Sequence, residues 1–528
     1  GGRAYPAPFV RHAWLELMKN HPHDSICGCS IDQVHREMMP RFAAVNQVAD
    51  ELTQRSVGAY ARPQAAPAIF VYNPTGWATE AWVDVVVHWP AAGAPASIHL
   101  ETPDGRAVET VIHRVEDTEV FRAEVDFNPD WFPVRRYVGA ARVALPAAGG
   151  VTLKAVPGAP AAPSLTIEAS PTAIENEHLK LEVVDGRVNL LDKATGERFA
   201  DCHYFLDEID MGDEYNFSPM AGDAPVRLAF SGCRQGEGAG QAARLEVTWA
   251  GDRPRGLAPD RSGLDARTAA LVVTSTFELA AGERVVRVET RLDNAIEDHR
   301  LRVVTAIGQG DEPAVWADAA FGVFRREPLQ MSALPVPKGI EAIMPEFPQQ
   351  LFTALERQDR GLAVFNQGLP EASLIQGEAG WALATTLIRA VGWLSRDDLR
   401  TRGGGAGPRF PTPEAQCQGA HTFRYALAPY RGSWTEVQPL AHAFSAPALA
   451  WEAEGLPFFG ASVALGDSRL VLSALKKADG ADQLVVRVYN PTPEPVTSDV
   501  SVKVPHARLL EANMAEEAGA VAGTGTVQ

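Results

Sequence analysis

The chain has 528 residues, more than one domain of usual size, and its 48 Lys and Arg against 66 Asp and Glu give a formal net charge of -18. This acidic balance argues against a nucleic-acid partner, whose phosphates need clustered cations. No run of eighteen apolar residues is present, so we expect no membrane partner. Five cysteines, an odd number, do not form a secreted disulfide framework, and we expect a cytoplasmic protein with reduced thiols.

Two helices are predicted at the start of the chain. Apolar residues recur every three to four positions over residues 8–20 and again over residues 31–60. The second helix begins after Ser30, which forms a capping-box pattern with Gln33. Pro40 lies inside this helix and predicts a kink, because proline removes one helical hydrogen bond and crowds the preceding turn.

From residue 63 onward the pattern changes to short runs of alternating apolar and polar residues, which are typical of strands. The predicted strands cover residues 69–72, 82–87, 108–115, 134–144, 179–184, 244–249, 270–278, 284–293, 302–307 and 483–489. Two stretches rich in small residues and proline, 149–163 and 251–263, are predicted as a linker and an exposed loop. A strand followed by Asn-Pro-Thr occurs twice, at residues 69–75 and 485–492, and whether both open a similar sheet stays open.

The predicted fold class is mainly β with an N-terminal helical segment. A helical-bundle middle domain is followed by two or three β-sandwich domains. The predicted domains are a three-helix-bundle-like domain at residues 1–62, a small β-sandwich at 63–163, a large β-sandwich at 164–443 and a C-terminal β domain at 444–528.

The bend between the two helices carries the most informative run of the chain, from Asn20 to Cys29. A neutral imidazole is the commonest protein ligand for transition metals, and the carboxylate beside it can bind the metal, orient the imidazole or accept a substrate hydrogen bond. His23 and Asp24 are therefore a half-built metal or acid–base site, with His21 as a competing ligand. The structural alternative is that His23 bridges the bend and Asp24 caps a short turn. A single Cys27-Gly28-Cys29 is a weak zinc signal, and we expect both cysteines to be buried thiols.

The run from Lys19 to Glu37 resembles the signature that follows the catalytic domain in α-mannosidases of glycoside hydrolase family 38, especially the bacterial branch. That branch also includes mannosylglycerate hydrolases. Two later stretches resemble the same family, Gly212–Pro219 and a segment from Arg389 to Cys417. The three ordered motifs span almost 400 residues.

The resemblance implies a retaining glycosidase that hydrolyses α-mannosides with one divalent metal ion, usually zinc. His23 matches a metal ligand of the family, Asp24 a carboxylate that contacts the sugar, and Tyr215 a tyrosine that the β region brings into the active site. Both catalytic carboxylates of the family lie upstream of the His-Asp motif, in an α/β domain. We therefore expect no catalytic residue in this chain, which would be inactive alone as a fragment lacking that domain.

Other polar residues near these motifs are weaker candidates. Strand alternation predicts that Glu214 and Asn216 point away from the face of Tyr215. Three arginines, Arg389, Arg396 and Arg402, are candidates for sugar contacts, although surface ion pairs are the commoner role. Three acidic residues, Asp207, Glu208 and Asp210, could line a sugar cleft or form a solvated loop face.

Two rival functions belong to other classes. The first is a carbohydrate-binding or structural β-sandwich protein without catalysis, which would use exposed aromatic platforms such as Trp131-Phe132, Trp381 or Trp451. The second is a regulatory metal module that uses His21, His23 and the two neighbouring cysteines. The exact mannoside, a preference for phosphorylated sugars, and assembly into a homo-oligomer stay open at this point.

Overall fold

The computed structural model describes residues 4–58, 67–122, 128–161, 164–238, 241–452, 460, 462–503, 506 and 508–524. Strands make up 50% of the structure and helices 11%, which confirms the mainly-β prediction. No helix in the described ranges is long and apolar enough to span a membrane.

The chain divides into two compact units. The first unit comprises Gly1–Ala59, Leu165–Asp318 and Phe324–Val437, and the second comprises Tyr60–Ser164, Ala319–Val323 and Gln438–Gln528. The four predicted domain boundaries stay predictions.

Three helices begin the first unit. They are α1 (Ala7–Met18), the single turn α2 (His23–Ile26) and α3 (Asp32–Gly58). Buried Asn20 joins the end of α1 to α3, because its amide donates to the Met38 carbonyl (3.1 Å) and its oxygen accepts from Arg41 (3.2 Å). No residue of α1 is buried, and the predicted three-helix bundle is not confirmed.

The start of α3 differs from the predicted capping box. The backbone N–H of Ser30 donates to Nε2 of His35 (3.3 Å), while the amide of Gln33 donates to Glu37 (3.0 Å). Because His35 takes the N–H that the glutamine was predicted to bind, the reciprocal box does not form. The helix continues through Pro40, and the kink there stays a prediction.

The strands follow α3 along the chain. The first sixteen are β1 (Ala68–Asn73), β2 (Thr79–Pro90), β3 (Ile98–Glu101), β4 (Ala107–Arg122), β5 (Asp130–Leu145), β6 (Gly149–Pro157), β7 (Glu168–Ser170), β8 (Ala173–Glu175), β9 (Leu179–Val184), β10 (Arg187–Asp192), β11 (Arg198–Ile209), β12 (Val226–Arg227), β13 (Ala229–Gln235), β14 (Ala242–Pro254), β15 (Thr268–Ala280) and β16 (Val286–Asn294). The others are β17 (His299–Gly308), β18 (Ala314–Ala319), β19 (Gly322–Arg326), β20 (Glu346–Pro348), β21 (Phe352–Arg357), β22 (Arg360–Asn366), β23 (Glu371–Gly377), β24 (Gly380–Ala390), β25 (Gly419–Arg431), β26 (Leu449–Glu452), β27 (Val463–Leu465), β28 (Val471–Lys477), β29 (Leu484–Tyr489), β30 (Val500–Val502), β31 (Arg508–Ala512) and β32 (Ala518–Thr524). Two 3-10 helices (Pro413–Gln416 and Trp434–Glu436) and helix α4 (Gln438–Ser445) separate β24, β25 and β26. Every predicted strand overlaps one of these, but several observed strands are longer than predicted, most of all β4, which continues to Arg122 where the prediction ended at residue 115.

Two large antiparallel sheets form the β part of the first unit. Their strand orders are β20-β23-β24-β17-β11-β10-β9-β8-β7, with β12 beside β11, and β13-β14-β15-β16-β25-β22-β21-β18-β19. Apolar side chains from both sheets share one core that includes Phe205, Trp249, Phe277, Leu301 and Tyr425. Two sheets that bury a common core are a β-sandwich.

One seven-stranded sheet, in the order β2-β5-β4-β3-β6-β1-β26, dominates the second unit. The predicted linker at 149–163 is wrong over its first half, because β6 pairs with β1 on one side and β3 on the other. Small residues serve close packing here: a side chain at Gly150 would collide with the ring of Phe70. The predicted loop at 251–263 likewise begins inside β14.

The repeated Asn-Pro-Thr sequences of the second unit form the same turn. The side-chain oxygen of Asn73 accepts from the backbone N–H and the hydroxyl of Thr75 (3.0 and 2.8 Å). The side-chain oxygen of Asn490 accepts from the same two groups of Thr492 (3.0 and 2.7 Å). Each turn follows a strand, β1 or β29, so the sequence echo reflects shared turn chemistry.

Candidate functional site

The single turn α2 presents His23 and Asp24 at the surface of the first unit. Pro22 precedes the turn in an extended conformation, which separates it from α1. The His23 side chain is 90% exposed and the Asp24 side chain 48% exposed, and His23 Nε2 lies 3.4 Å from Asp24 Oδ1. The imidazole is therefore accessible to a ligand.

Cys29 donates two hydrogen bonds to Asp24. Its backbone N–H donates to the Asp24 carbonyl (2.9 Å), and its thiol donates to Asp24 Oδ1 (3.5 Å). Burial, followed by Asp24, raises the pKa of the Cys29 thiol to about 11, so this residue is a neutral thiol and a poor metal ligand. Cys29 is buried as predicted, but Cys27 is exposed.

Tyr215 lies on the loop between β11 and β12 and is 36% exposed. Burial, followed by the electrostatic influence of Cys29 and Asp24, raises the pKa of its phenol. Asp24 and Cys29, far from Tyr215 in sequence, are thus near enough to its phenol to act on it electrostatically. A β carbon at Gly407 would stand 3.5 Å from the Tyr215 hydroxyl, so the glycine-rich segment also borders this ring.

A buried ion pair fixes one end of the Tyr215 loop. Asp210 is completely buried and accepts hydrogen bonds from the backbone N–H groups of Gly212 (2.7 Å) and Ser218 (3.0 Å). It also accepts from Nε of Arg389 (2.7 Å), whose other nitrogen donates to the carbonyl of Asp213. The two ends of the loop, at Gly212 and Ser218, are thus held to one carboxylate.

A second buried ion pair lies directly beneath Tyr215. Asp213 accepts from the backbone N–H groups of Tyr215 (3.0 Å) and Arg396 (2.7 Å) and pairs with the guanidinium of Arg402. The Arg402 guanidinium carbon stands 5.8 Å from the centre of the Tyr215 ring, within reach of a cation–π contact. Asn216 also accepts from Arg402. These contacts hold the phenol in one position before any ligand binds.

The three candidate arginines are all ion-paired, but they are mostly buried. Their side chains are 19%, 10% and 10% exposed for Arg389, Arg396 and Arg402. The expectation of surface ion pairs is wrong for Arg389 and Arg402, because they bind Asp210 and Asp213, which are completely buried in the Tyr215 loop. Arg396 instead pairs with Asp398, whose side chain is 48% exposed. Arg389 and Arg402 therefore hold the loop that carries Tyr215.

The acidic residues Asp207, Glu208 and Asp210, predicted to line a sugar cleft or form a solvated loop face, are buried instead. Exposure is 0% for Asp207, 9% for Glu208 and 0% for Asp210. Asp207 contacts Arg253 and His299, Glu208 pairs with Arg300 and Arg302, and Asp210 pairs with Arg389. The strip is buried because it belongs to β11 and its continuation inside the ten-stranded sheet.

Glu214 is buried beside the exposed Tyr215. It is 9% exposed, its backbone N–H donates to the Trp393 carbonyl (3.0 Å), and burial raises the pKa of its carboxyl to about 7. Neither carboxyl oxygen makes a hydrogen bond within the described structure, and the same holds for the nearby Thr412 hydroxyl. Sequence reasoning gave this residue little weight.

The side chains around His23 can supply only part of the ligands of a metal site. A protein zinc site has three or four protein ligands around the metal. Across the described ranges no group of three or more His, Cys, Asp or Glu residues could hold a metal ion. His23, with Asp24 beside it, therefore offers a ligand without completing a site, and the rival metal module of His21, His23 and the cysteines gains no support.

Residues 469–526 match the model of the glycosyl hydrolases family 38 C-terminal beta sandwich domain. A putative mannosylglycerate hydrolase from Halalkalibacterium halodurans is 25% identical over 556 residues, a match that covers 92% of this chain and 58% of that protein. The crystal structure of an α-mannosidase from Enterococcus faecalis V583 superposes on 99% of this chain with a TM-score of 0.84 and 25% identity.

A second E. faecalis structure, of a protein in glycosyl hydrolase family 38, superposes on 99% of this chain with a TM-score of 0.83 and 24% identity. The two solved structures are covered over 62% and 65% of their own chains. The chain thus spans 58% to 65% of the length of these relatives.

Proposed function

We propose that this chain, which is a glycoside hydrolase family 38 protein, forms one wall of a metal-dependent site that hydrolyses α-mannosidic bonds with retention of configuration. The single observation that carries the proposal is that Asp24, next to His23, lies near enough to the Tyr215 phenol to act on its pKa. All three side chains reach solvent, and each is a type that binds a metal ion or a sugar hydroxyl.

His23 is the proposed metal ligand. Its imidazole is accessible, and Nε2 lies 3.4 Å from the carboxylate of the neighbouring Asp24. One divalent ion, with zinc as the expected metal, would orient the hydroxyls of the bound sugar when present. The other ligands of such a site come from outside the described residues.

Asp24 and Tyr215 are the proposed sugar contacts. The half-exposed Asp24 carboxylate can accept hydrogen bonds from sugar hydroxyls, while the thiol of Cys29 holds its other side. The raised pKa keeps the Tyr215 phenol protonated near neutral pH, so it can donate a hydrogen bond. The two buried ion pairs keep the phenol in place, which reduces the entropy lost on binding.

A retaining glycosidase needs two carboxyl groups about 5 Å apart, one as nucleophile and one as acid and base. Near Tyr215, the buried carboxylates Asp210 and Asp213 are committed to arginines, and Glu214 points away from the surface. We therefore assign the nucleophile and the acid/base to a part of the protein outside this chain. The relatives are longer than the matched region, which accommodates such a part.

Large apolar side chains exposed on the helices support this assignment. On α1, Phe9, Trp14 and Met18 are 57%, 58% and 51% exposed, and Met39 on α3 is 65% exposed. Exposed apolar patches of this kind mark surfaces that another protein surface covers. We propose that α1, α2 and α3 belong to a helical domain that packs against the catalytic domain.

The function is tested with residues 1–528 alone and an aryl α-mannoside in the presence of zinc. We expect no turnover above background, since the catalytic carboxylates are missing, and weak zinc binding by calorimetry, since one ligand competes poorly with water. Measurable turnover would overturn the assignment of catalysis elsewhere. Micromolar or tighter zinc binding that survives His23→Ala would show a different metal site.

A second candidate function, carbohydrate binding without catalysis, is favoured by the aromatic residues near the end of the β4–β5 hairpin. Phe121 and Trp131 are 54% and 59% exposed, with ring centres 5.4 Å apart. Trp381 and Trp451 are partly buried and are weaker platforms. Affinity for mannan that disappears with Trp131→Ala and persists with Tyr215→Phe would favour this candidate. A cytoplasmic location and assembly into a homo-oligomer stay predictions.

A further inference from the structure

Glu214 is an ionisable residue in the first unit whose environment does not suit its charge. Its side chain is 9% exposed, and both carboxyl oxygens lack a hydrogen-bond partner among the described residues. The nearest donor, the Thr412 hydroxyl, lowers the pKa without forming a hydrogen bond of good geometry. A buried polar group without partners is costly and calls for a functional explanation.

The groups that face Glu214 come from each element packed around it. They are Cys29 and Asp32 from the α2–α3 connection, Asp213 and Tyr215 from its own loop, Arg389 from β24, and Thr412 and Cys417 from the segment before β25. Arg389 is the cation of this set, and Asp210 with two backbone carbonyls already engages it. Two further carboxylates, Asp32 and Asp213, repel a charge at Glu214.

The same spot is the joint between the helices and the β-sandwich. The Asp32 carboxylate accepts from the backbone N–H of Glu414 (3.2 Å), and Arg36 pairs with the Glu414 side chain. Glu214 is buried near this joint: Asp32 acts on its charge, and Glu214 in turn acts electrostatically on Cys29, whose thiol donates to Asp24. A change of charge at Glu214 thus acts on the connection that carries His23 and Asp24.

We propose that Glu214 is a positioning residue: its neutral carboxyl lets the α2–α3 connection sit against the Tyr215 loop, and its ionised form loosens that contact. Burial is the physical cause, because a charge without partners at this place either draws in water or separates the two surfaces. The inference rests on the proposed function only in calling this surface a substrate site.

The sign of the effect follows from the raised pKa, which is about 7 in place of 4.5. Between these two values the closed joint retains the proton and the open joint releases it, so opening becomes easier as pH rises toward 7. Above that pH both forms are ionised and the effect reaches a plateau.

Hydrogen exchange of residues 21–32 in the 528-residue protein tests the proposal, with rates corrected for the intrinsic pH dependence of exchange. In the wild type, we expect protection of this segment to fall by roughly 10- to 100-fold between pH 5 and pH 8. Glu214→Gln, which mimics the neutral acid, should keep full protection at both values. The matched control Glu341→Gln, which changes a carboxylate bonded to Asn216 on the other side of the loop, should behave as the wild type.

Equal pH dependence in the wild type and Glu214→Gln would overturn the proposal, and so would loss of protection in Glu214→Gln already at pH 5. The measurement needs neither metal nor mannoside. Its outcome is therefore separate from that of the glycosidase proposal, and either can fail alone.

Discussion

The two sides of the candidate site are built in different ways. The Tyr215 loop is fixed by two completely buried carboxylates, Asp210 and Asp213, each paired with an arginine and with backbone N–H groups. The opposite side is a single helical turn whose His23 is 90% exposed, with Nε2 3.4 Å from the carboxylate of its neighbour Asp24. The loop that carries Tyr215 is therefore fixed by buried contacts within this chain, whereas His23 stays accessible to further ligands.

Removing a carboxylate from the tyrosine side should give the largest effect on stability. Asp213→Ala leaves the Arg402 charge buried and three backbone N–H groups, of Tyr215, Asn216 and Arg396, without this acceptor, so we expect a loss of about 3–5 kcal/mol in the free energy of unfolding. Urea denaturation measures it. The matched control is Asp397→Ala, whose partner Arg409 is exposed, with an expected loss below about 1 kcal/mol. Equal losses would show that the loop is not held by its buried pairs.

Glu214 lies between the two sides and should give a smaller effect that depends on pH. Its raised pKa means that the folded state binds the proton more tightly than the unfolded chain. The stabilisation is complete below the unfolded value of 4.5 and disappears as pH rises through about 7. Relative to the wild type, Glu214→Gln should therefore gain about 1–3 kcal/mol at pH 8 and nothing near pH 4.5. A gain of the same size at both pH values would indicate an effect unrelated to ionisation.

The exposed helix surface should give the smallest effect. Trp14→Ser removes a side chain that is 58% exposed, so we expect a change within about 0.5 kcal/mol in chemical denaturation. The contrasting variant Phe277→Ala, in the sandwich core, should lose about 3–5 kcal/mol. A large loss for Trp14→Ser would mean that this face is already packed in the chain as it stands.

Much of the fold could be predicted because strand periodicity and turn residues are local signals. The alternating runs located the strands, and the two Asn-Pro-Thr turns reproduce one hydrogen-bond pattern. The prediction failed at β6, where glycine and alanine resemble a linker in composition but serve close packing against Phe70. Local composition does not reveal which strands will lie on both sides of a segment.

The candidate site, like the fold, could be predicted from the sequence only in part. The resemblance to a known family indicated His23, Asp24 and Tyr215, and of these Asp24 acts electrostatically on the Tyr215 phenol. The roles of Arg389 and Arg402 could not be read from the sequence, because their partners lie more than 170 residues away. The burial of Glu214 is also a tertiary property. Strand alternation predicted that it points away from Tyr215, but both residues lie in a loop, and the burial of Glu214 depends on elements distant in sequence.

The most direct test of the central claim, that His23, Asp24 and Tyr215 line one α-mannoside site, is the kcat/KM for an aryl α-mannoside of the polypeptide translated from the complete gene. We expect a loss of roughly 100-fold or more for His23→Ala and of about 10- to 100-fold for Tyr215→Phe, with Asp397→Asn unchanged. Wild-type kcat/KM in both site variants, or no α-mannosidase activity in the complete protein, would contradict it.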